Sequence, residues 1–387
     1  MPHPHLSFGD FADVEHFESS KSSEANLWRL GAALFDEIED LNPPEDAPAD
    51  LVARLVEIRR RDRLESWLED VVRDAVEEDL RDIESRPTGS GAGARRIFAL
   101  LSGHEIERAC TTAVENRDLR LATLLAQAGG DDEYREDLYL QLAKWREYRV
   151  DAHIDDAYRR VYEVLCGNVG LSEGLAAKGD RVDAAAAIFI ADGLDWKRAF
   201  GLHLWYGTFQ ASLPTVVARY ETAARDPTSH TAPPLPLYIE SPSFADPATP
   251  TRAWTPNTGD SPPTDPLFSL IKIFTDPAYA LEDALLPRNF GSSPLDYRLS
   301  WHLFMLFSRV LRRRDFEDRE MVPRDDDDDD EQREVEGYSI KADAVTEAYA
   351  SQLELGGNWT WAIFVLLHLQ LPELCVLSRL LSFLRTG

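Results

Sequence analysis

Asp195-Trp196-Lys197-Arg198-Ala199-Phe200-Gly201-Leu202-His203-Leu204-Trp205-Tyr206-Gly207 is the stretch that decides the fold. Trp196, Phe200 and His203 recur at helical intervals around Arg198, so one side of the segment is aromatic and apolar. That spacing reads as a buried, amphipathic helix. About a hundred residues later, Leu295-Asp296-Tyr297-Arg298-Leu299-Ser300-Trp301-His302-Leu303 repeats the arrangement around Arg298, with Tyr297, Trp301 and Phe304 on one face.

Working outward, the same period fills most of the chain. Leu27, Leu30, Leu34 and Ile38 form a first stripe, stopped at Asn42-Pro43-Pro44 because proline neither donates to nor fits within a continuing helix. A long second block runs from about Leu51 to Ile83, with Val52, Leu55, Ile58, Leu64, Trp67, Val71 and Ala75 mostly three and four apart. Pro87-Thr88-Gly89-Ser90-Gly91 reads as a joint. Short amphipathic segments follow at 94–101, 104–115, 118–128 and 132–147, joined by brief breaks such as Asn116 and Gly129-Gly130. Breaks this short force neighbouring helices to run antiparallel, and stacked pairs of that kind make an α-solenoid.

Residues 226–266 hold eleven of the 23 prolines and read as an extended surface loop. Helices resume at about Leu267 and continue through 279–286, 296–313, 338–354 and 358–369. The acidic stretch 322–337, with its run Asp325 to Asp330, interrupts them and is expected to be disordered by self-repulsion. Residues 1–25 read as a disordered lead-in, and no segment sustains a period of two. The expected fold class is all-α.

Composition narrows the function. The formal charge of −28 repels phosphate backbones and anionic membrane surfaces. The longest apolar run, Ala184 to Ala191, is far short of the roughly 20 residues a membrane span needs. The N-terminus shows no basic region followed by an apolar one, so no secretory signal is expected. Cys110, Cys166 and Cys375 are too few and too scattered for a disulfide framework, which points to the cytosol or nucleus.

No phosphate loop, dinucleotide fingerprint, zinc-protease helix or nucleophile elbow is present. His3 and His5 read as an incidental pair, and His104 and Cys110, six apart, do not share a helical face. His203 and His302 belong to the aromatic helices and read as satisfied, partly buried histidines. The six aspartates lack the glycine turn and terminal glutamate of a calcium loop. Arg95-Arg96 and Arg312-Arg313-Arg314 lie at expected helix ends, where the second cluster favours the helix dipole. The expectation is no enzyme, with no catalytic residue, cofactor or metal. A helical enzyme with its site in the solenoid's concavity is the reading from another class, and no motif supports it.

Four blocks carry a resemblance beyond periodicity. They are the two aromatic segments, Arg96 to Gln127 with its Asn116-Arg117-Asp118-Leu119 link, and Gly357-Asn358-Trp359-Thr360-Trp361-Ala362-Ile363-Phe364-Val365-Leu366-Leu367-His368-Leu369. In this order they resemble the 96-kDa-type scaffold nucleoporins, fungal-type. These are helical subunits of the nuclear pore Y complex that share an ancestral coatomer element with vesicle-coat proteins.

The resemblance implies a J-shaped α-solenoid folded back on itself. Residues 26–84 would be outgoing trunk, 92–225 crown and 267–370 returning trunk. Residues 371–387 are an atypical apolar end in place of the family's tail domain, so the tail is expected to be missing. The implied role is a structural scaffold of the nuclear pore complex at the nuclear envelope, supporting translocation of protein and mRNA. The implied partners are a 107-kDa-type nucleoporin through the crown, a seven-bladed coat propeller along the trunk, and other Y-complex subunits, with no direct nucleic acid or membrane insertion. The propeller's donated strand would lie upstream. The alternative is a vesicle-coat-type scaffold. Crown anchors must be apolar side chains left over after internal packing. The candidates are Leu121, Leu124 and Leu125 on one helix, with Tyr134, Leu138, Leu142 and Trp145 on the next; ordinary inter-helix core is the competing reading for each.

Overall fold

The apolar stripes become helices in the computed structural model, which describes residues 6–14, 22–38, 41, 47–86, 89, 91–176, 184–208, 211–240, 262–319 and 338–369. In chain order they are α1 (Phe8–Ala12), α2 (Ser23–Phe35), α3 (Ala49–Ser85), α4 (Ala92–Ser102), α5 (Ile106–Glu115) and α6 (Leu119–Leu125). Next come α7 (Asp132–Glu147), α8 (Asp156–Leu165), α9 (Trp196–Leu202), α10 (Leu213–Arg225), α11 (Leu237–Glu240) and α12 (Pro266–Thr275). The last are α13 (Leu281–Ala284), α14 (Pro287–Phe290), α15 (Arg298–Phe304), α16 (Ile340–Leu355) and α17 (Trp359–Leu366). The helices divide between two compact units, residues 37–234 (the central unit) and residues 1–36 with 235–387 (the split unit).

In the central unit α3 is the spine. Leu64, Leu68, Val72, Val76 and Leu80 repeat every four residues and are all buried, and α3 packs on α4 and α9. Helices α4, α5 and α6 then turn back and forth through two matching caps. Glu105 N–H donates to Leu100 O at 2.9 Å around His104, and Asp118 N–H donates to Ala113 O at 2.9 Å around Arg117. Both turn residues are left-handed, with φ of 61° and 60°, which costs a side-chain-bearing residue about 1–2 kcal/mol. His104 recovers part of this by stacking on Trp205 at 4.9 Å and by a hydrogen bond between its Nδ1 and Glu69 Oε1 at 2.7 Å. Asp118 accepts from Leu121 N–H at 3.0 Å and so starts α6.

The split unit is closed by aromatics. Phe8 is fully buried among Trp28, Phe35 and Phe307. A Cβ on Gly31 would lie 2.0 Å from the Phe8 ring, so this glycine is the notch that admits it. Asp36 accepts from Phe8 N–H and Gly9 N–H at 3.0 and 2.8 Å, holding the start of α1. Helices α16 and α17 pair through a cap like those of the central unit, with Asn358 N–H on Leu353 O at 2.8 Å and Gly357 at φ 78°. Here glycine adopts the left-handed turn without the side-chain penalty.

Two expectations, the lead-in and the proline-rich stretch, need correction. The lead-in 1–25 contains α1 and the first turn of α2, because Phe8 finds the Gly31 notch and Ser7 forms a capping box with Asp10. A short antiparallel pair also exists, β1 (Leu171–Ser172) with β2 (Ile188–Phe189), in register Leu171 to Phe189. Two-residue strands are too short to show a period. The described parts of 226–266 are tethered: Tyr220 Oη donates to Ala232 O at 2.8 Å and Tyr238 Oη to Arg288 O at 2.6 Å. The acidic stretch 322–337, the end 371–387, and His3 with His5 lie outside the described residues.

Candidate protein-interaction surface

The residues proposed from the sequence as anchors sit at different depths. Leu121 and Leu125 are fully buried, and Leu138 and Leu142 are buried on α7. These four side chains are spent inside the central unit. Leu124, Tyr134 and Trp145 are half-buried. Tyr134 Oη donates to Leu124 O at 2.9 Å, tying α7 to α6, and burial pushes its phenol up to about 12. Trp145 meets Tyr162 of α8 edge to face, with centroids 5.2 Å apart.

The apolar side chains that face solvent are others. Val114, Leu119, Tyr139, Leu140 and Tyr148 are exposed around α5 to α7, Tyr148 by 73%. A signal for two of them was available in the sequence. Tyr139 and Leu140 fall off the 134–138–142–145 stripe, where a solvated helix face should be polar. In the split unit, α17 exposes Trp359, Trp361 and Phe364, and Leu367 just after it is exposed too. Where such side chains join into one contiguous patch, they mark a surface that meets other macromolecules.

Several ionisable groups are built into the packing, although His203 Nε2 is buried without a hydrogen-bond partner. Burial first, then the nearby Arg219 charge, drives the His203 imidazole down to about 4. His302 is also lowered by burial, and its Nδ1 lies 2.7 Å from Arg298 O. His104 occupies a turn, off the helix that carries Cys110. Burial raises the Cys110 thiol, and raises Cys166 to about 11, which keeps both protonated and unreactive. Glu163, buried, is satisfied by Ser172, Asn168 and Arg146 at 2.6, 2.8 and 3.1 Å. Arg314, from the basic cluster, donates to Ile273 O and Asp276 O at the end of α12, so it caps α12 and not the helical turn that precedes it in the chain. Among the described residues no three His, Cys, Asp or Glu side chains are grouped to hold a metal ion, and no helix is long and apolar enough to cross a membrane.

Helical hairpins with buried interiors and some apolar side chains at the surface define an all-α, hairpin-built class of chain. The chain belongs to the Nup96 family, described as nuclear protein 96, whose family profile it matches over residues 95–376. It is similar to nucleoporin nup189 of Schizosaccharomyces pombe, 28% identical over 92% of this chain and 18% of that protein. It is also similar to nuclear pore complex protein Nup98-Nup96 of Drosophila melanogaster, 25% identical over 92% of this chain and 16% of that protein. Nuclear pore complex protein NUP96 of Arabidopsis thaliana is 28% identical over 74% of this chain and 24% of that protein. The chain thus spans less than a quarter of the length of these relatives, which are named as nuclear pore proteins and for no catalytic activity.

Proposed function

We propose that this chain is a structural subunit of the nuclear pore complex at the nuclear envelope, acting through protein–protein contacts and without chemistry of its own. Transport of protein and mRNA depends on it indirectly, through pore assembly. The observation that carries this reading is the family match over residues 95–376, which spans helices of both compact units. Exposed apolar side chains around α5–α7 and on α17 support it, because a scaffold needs surface left over after its own packing.

The finer assignment belongs to the same proposal. Residues 92–225 act as the crown and bind a 107-kDa-type nucleoporin, while 26–84 and 267–370 form the trunk that meets a coat propeller and other Y-complex subunits. Half-buried Leu124, Tyr134 and Trp145 contribute contacts, joined by exposed Tyr139, Leu140 and Tyr148; Leu121, Leu125, Leu138 and Leu142 hold the helices that present them.

The test is the location of the fluorescently tagged full chain in living cells. A continuous nuclear rim is expected. Puncta at endoplasmic-reticulum exit sites would replace this reading with the vesicle-coat one.

A further inference from the structure

Within the proposed trunk, the N-terminal stretch of α3 presents an exposed face of its own. No residue of this helix ahead of Arg60 is fully buried, although Leu51, Val52, Leu55, Val56 and Ile58 are apolar. The buried ridge that holds α3 in place starts at Leu64. One face of the earlier stretch, Asp50, Ala53, Arg54, Glu57, Ile58 and Arg61, walls an open groove of about 840 Å³, with Trp205, Leu213 and Arg135 also lining it. The groove therefore lies wholly within the central unit.

The side chains on this face form a charge palindrome. About the Leu55–Val56 peptide bond, Arg54 mirrors Glu57, Asp50 mirrors Arg61, and Ala53 mirrors Ile58. The same charges spaced four apart could form a ladder within the helix, but Asp50, Arg54 and Glu57 make no ion pair among the described residues, and all three are exposed. Arg61 is committed: it pairs with Glu65 at 2.7 Å and donates to Leu204 O and Ala211 O, each at 2.7 Å. The outer pair is accordingly the weaker one, and Arg54 with Glu57 are the active charges.

A two-fold interface sets residue i against j and j against i. Antiparallel pairing of two such faces places Arg54 opposite Glu57 twice and Ile58 over Ala53 twice, with no like charges opposed. A large side chain thus meets a small one at each apolar position. We propose that residues 50–61 of α3 are a self-complementary docking surface for a second copy of this chain, paired antiparallel across the groove. Twelve helical residues span about 18 Å, too short a strip to bury the roughly 1,600 Å² of a standard stable interface, so the expected dissociation constant is on the order of tens to hundreds of micromolar.

The experiment is sedimentation equilibrium of the full chain over a concentration series, at moderate salt to screen the mutual repulsion of two chains of charge −28. Wild type is expected to move from monomer toward dimer mass. Arg54→Glu and Glu57→Arg should each weaken association by roughly tenfold or more, since each opposes like charges twice. An equimolar mixture of the two variants should associate again, because each copy then carries the charge its partner lacks. The double variant Arg54→Glu/Glu57→Arg should dimerise like wild type. Thermal melts of the variants report their folding, and both positions are exposed. Monomer mass at every concentration overturns the proposal. So do single variants that associate like wild type, which would move the contact to another face, and a mixture that fails to recover.

Discussion

Helices α9 and α15 lie in different compact units and are built to one plan. Each carries an arginine and a histidine among large aromatics, and each widens into a π-helical turn, His203–Gly207 after α9 and Met305–Val310 after α15. Each arginine reaches a helix far back in the chain: Arg198 pairs with Asp79 of α3, and Arg298 pairs with Glu24 of α2 through two bonds of 2.7 and 2.6 Å. Burial separates them. The Arg198 side chain is 6% exposed and is also bound by Asp195 at 2.6 Å, whereas the Arg298 side chain is 45% exposed. One sequence pattern thus gives a buried clamp in the central unit and a solvated one in the split unit.

The strongest way to break the comparison is to remove both clamps in turn. Arg198→Ala is expected to destabilise by about 3 kcal/mol, the low end for a broken buried pair because Asp79 and Asp195 still reach water. Urea midpoints of the full chain read this directly. Gly201→Ala comes next. A Cβ there would lie 2.3 Å from the Trp205 ring, so the indole must leave its place, costing about 1–3 kcal/mol. Near-ultraviolet circular dichroism should show the loss of the Trp205–His104 stack; α15 has no glycine and offers no equivalent lesion.

Acid sharpens the contrast between the histidines. His203 is held neutral, with a folded value of about 4 against 6.5 when solvated. Between those values the unfolded chain takes up a proton that the folded one refuses, so stability falls as pH drops from 6.5 toward 4. His203→Gln is expected to flatten that part of the urea midpoint against pH profile. The smallest effect belongs to the solvated clamp: Arg298→Ala should cost about 0.2–1 kcal/mol and shrink further in high salt.

Sequence made the stripes legible because burial of a helix face leaves a period, as the four-residue ridge from Leu64 to Leu80 shows. The π-helical turns were not legible. From Leu202 to Tyr206 nearly every side is apolar and buried, so no polar face remains to reveal a wider turn. Helix α1 was missed because five residues have no stripe of their own; Phe8 is ordered by a notch at Gly31, which only the folded chain assembles. Among the proposed anchors, spacing identified the apolar face of α6 and α7 but not what covers it. Leu121 and Leu125 proved to be interior, while Tyr139 and Leu140, off the stripe, face solvent.

Under the proposed function the surface around α5–α7 binds a partner and the stripe beneath it supports that surface, a division that size-exclusion chromatography with light scattering tests most directly. The full chain, mixed with the 107-kDa-type nucleoporin, should run as a stable one-to-one complex. Tyr139→Glu/Leu140→Glu should elute as two separate components while keeping the wild-type melting temperature. Separate peaks for wild type, or an intact complex for the double variant, would contradict the account.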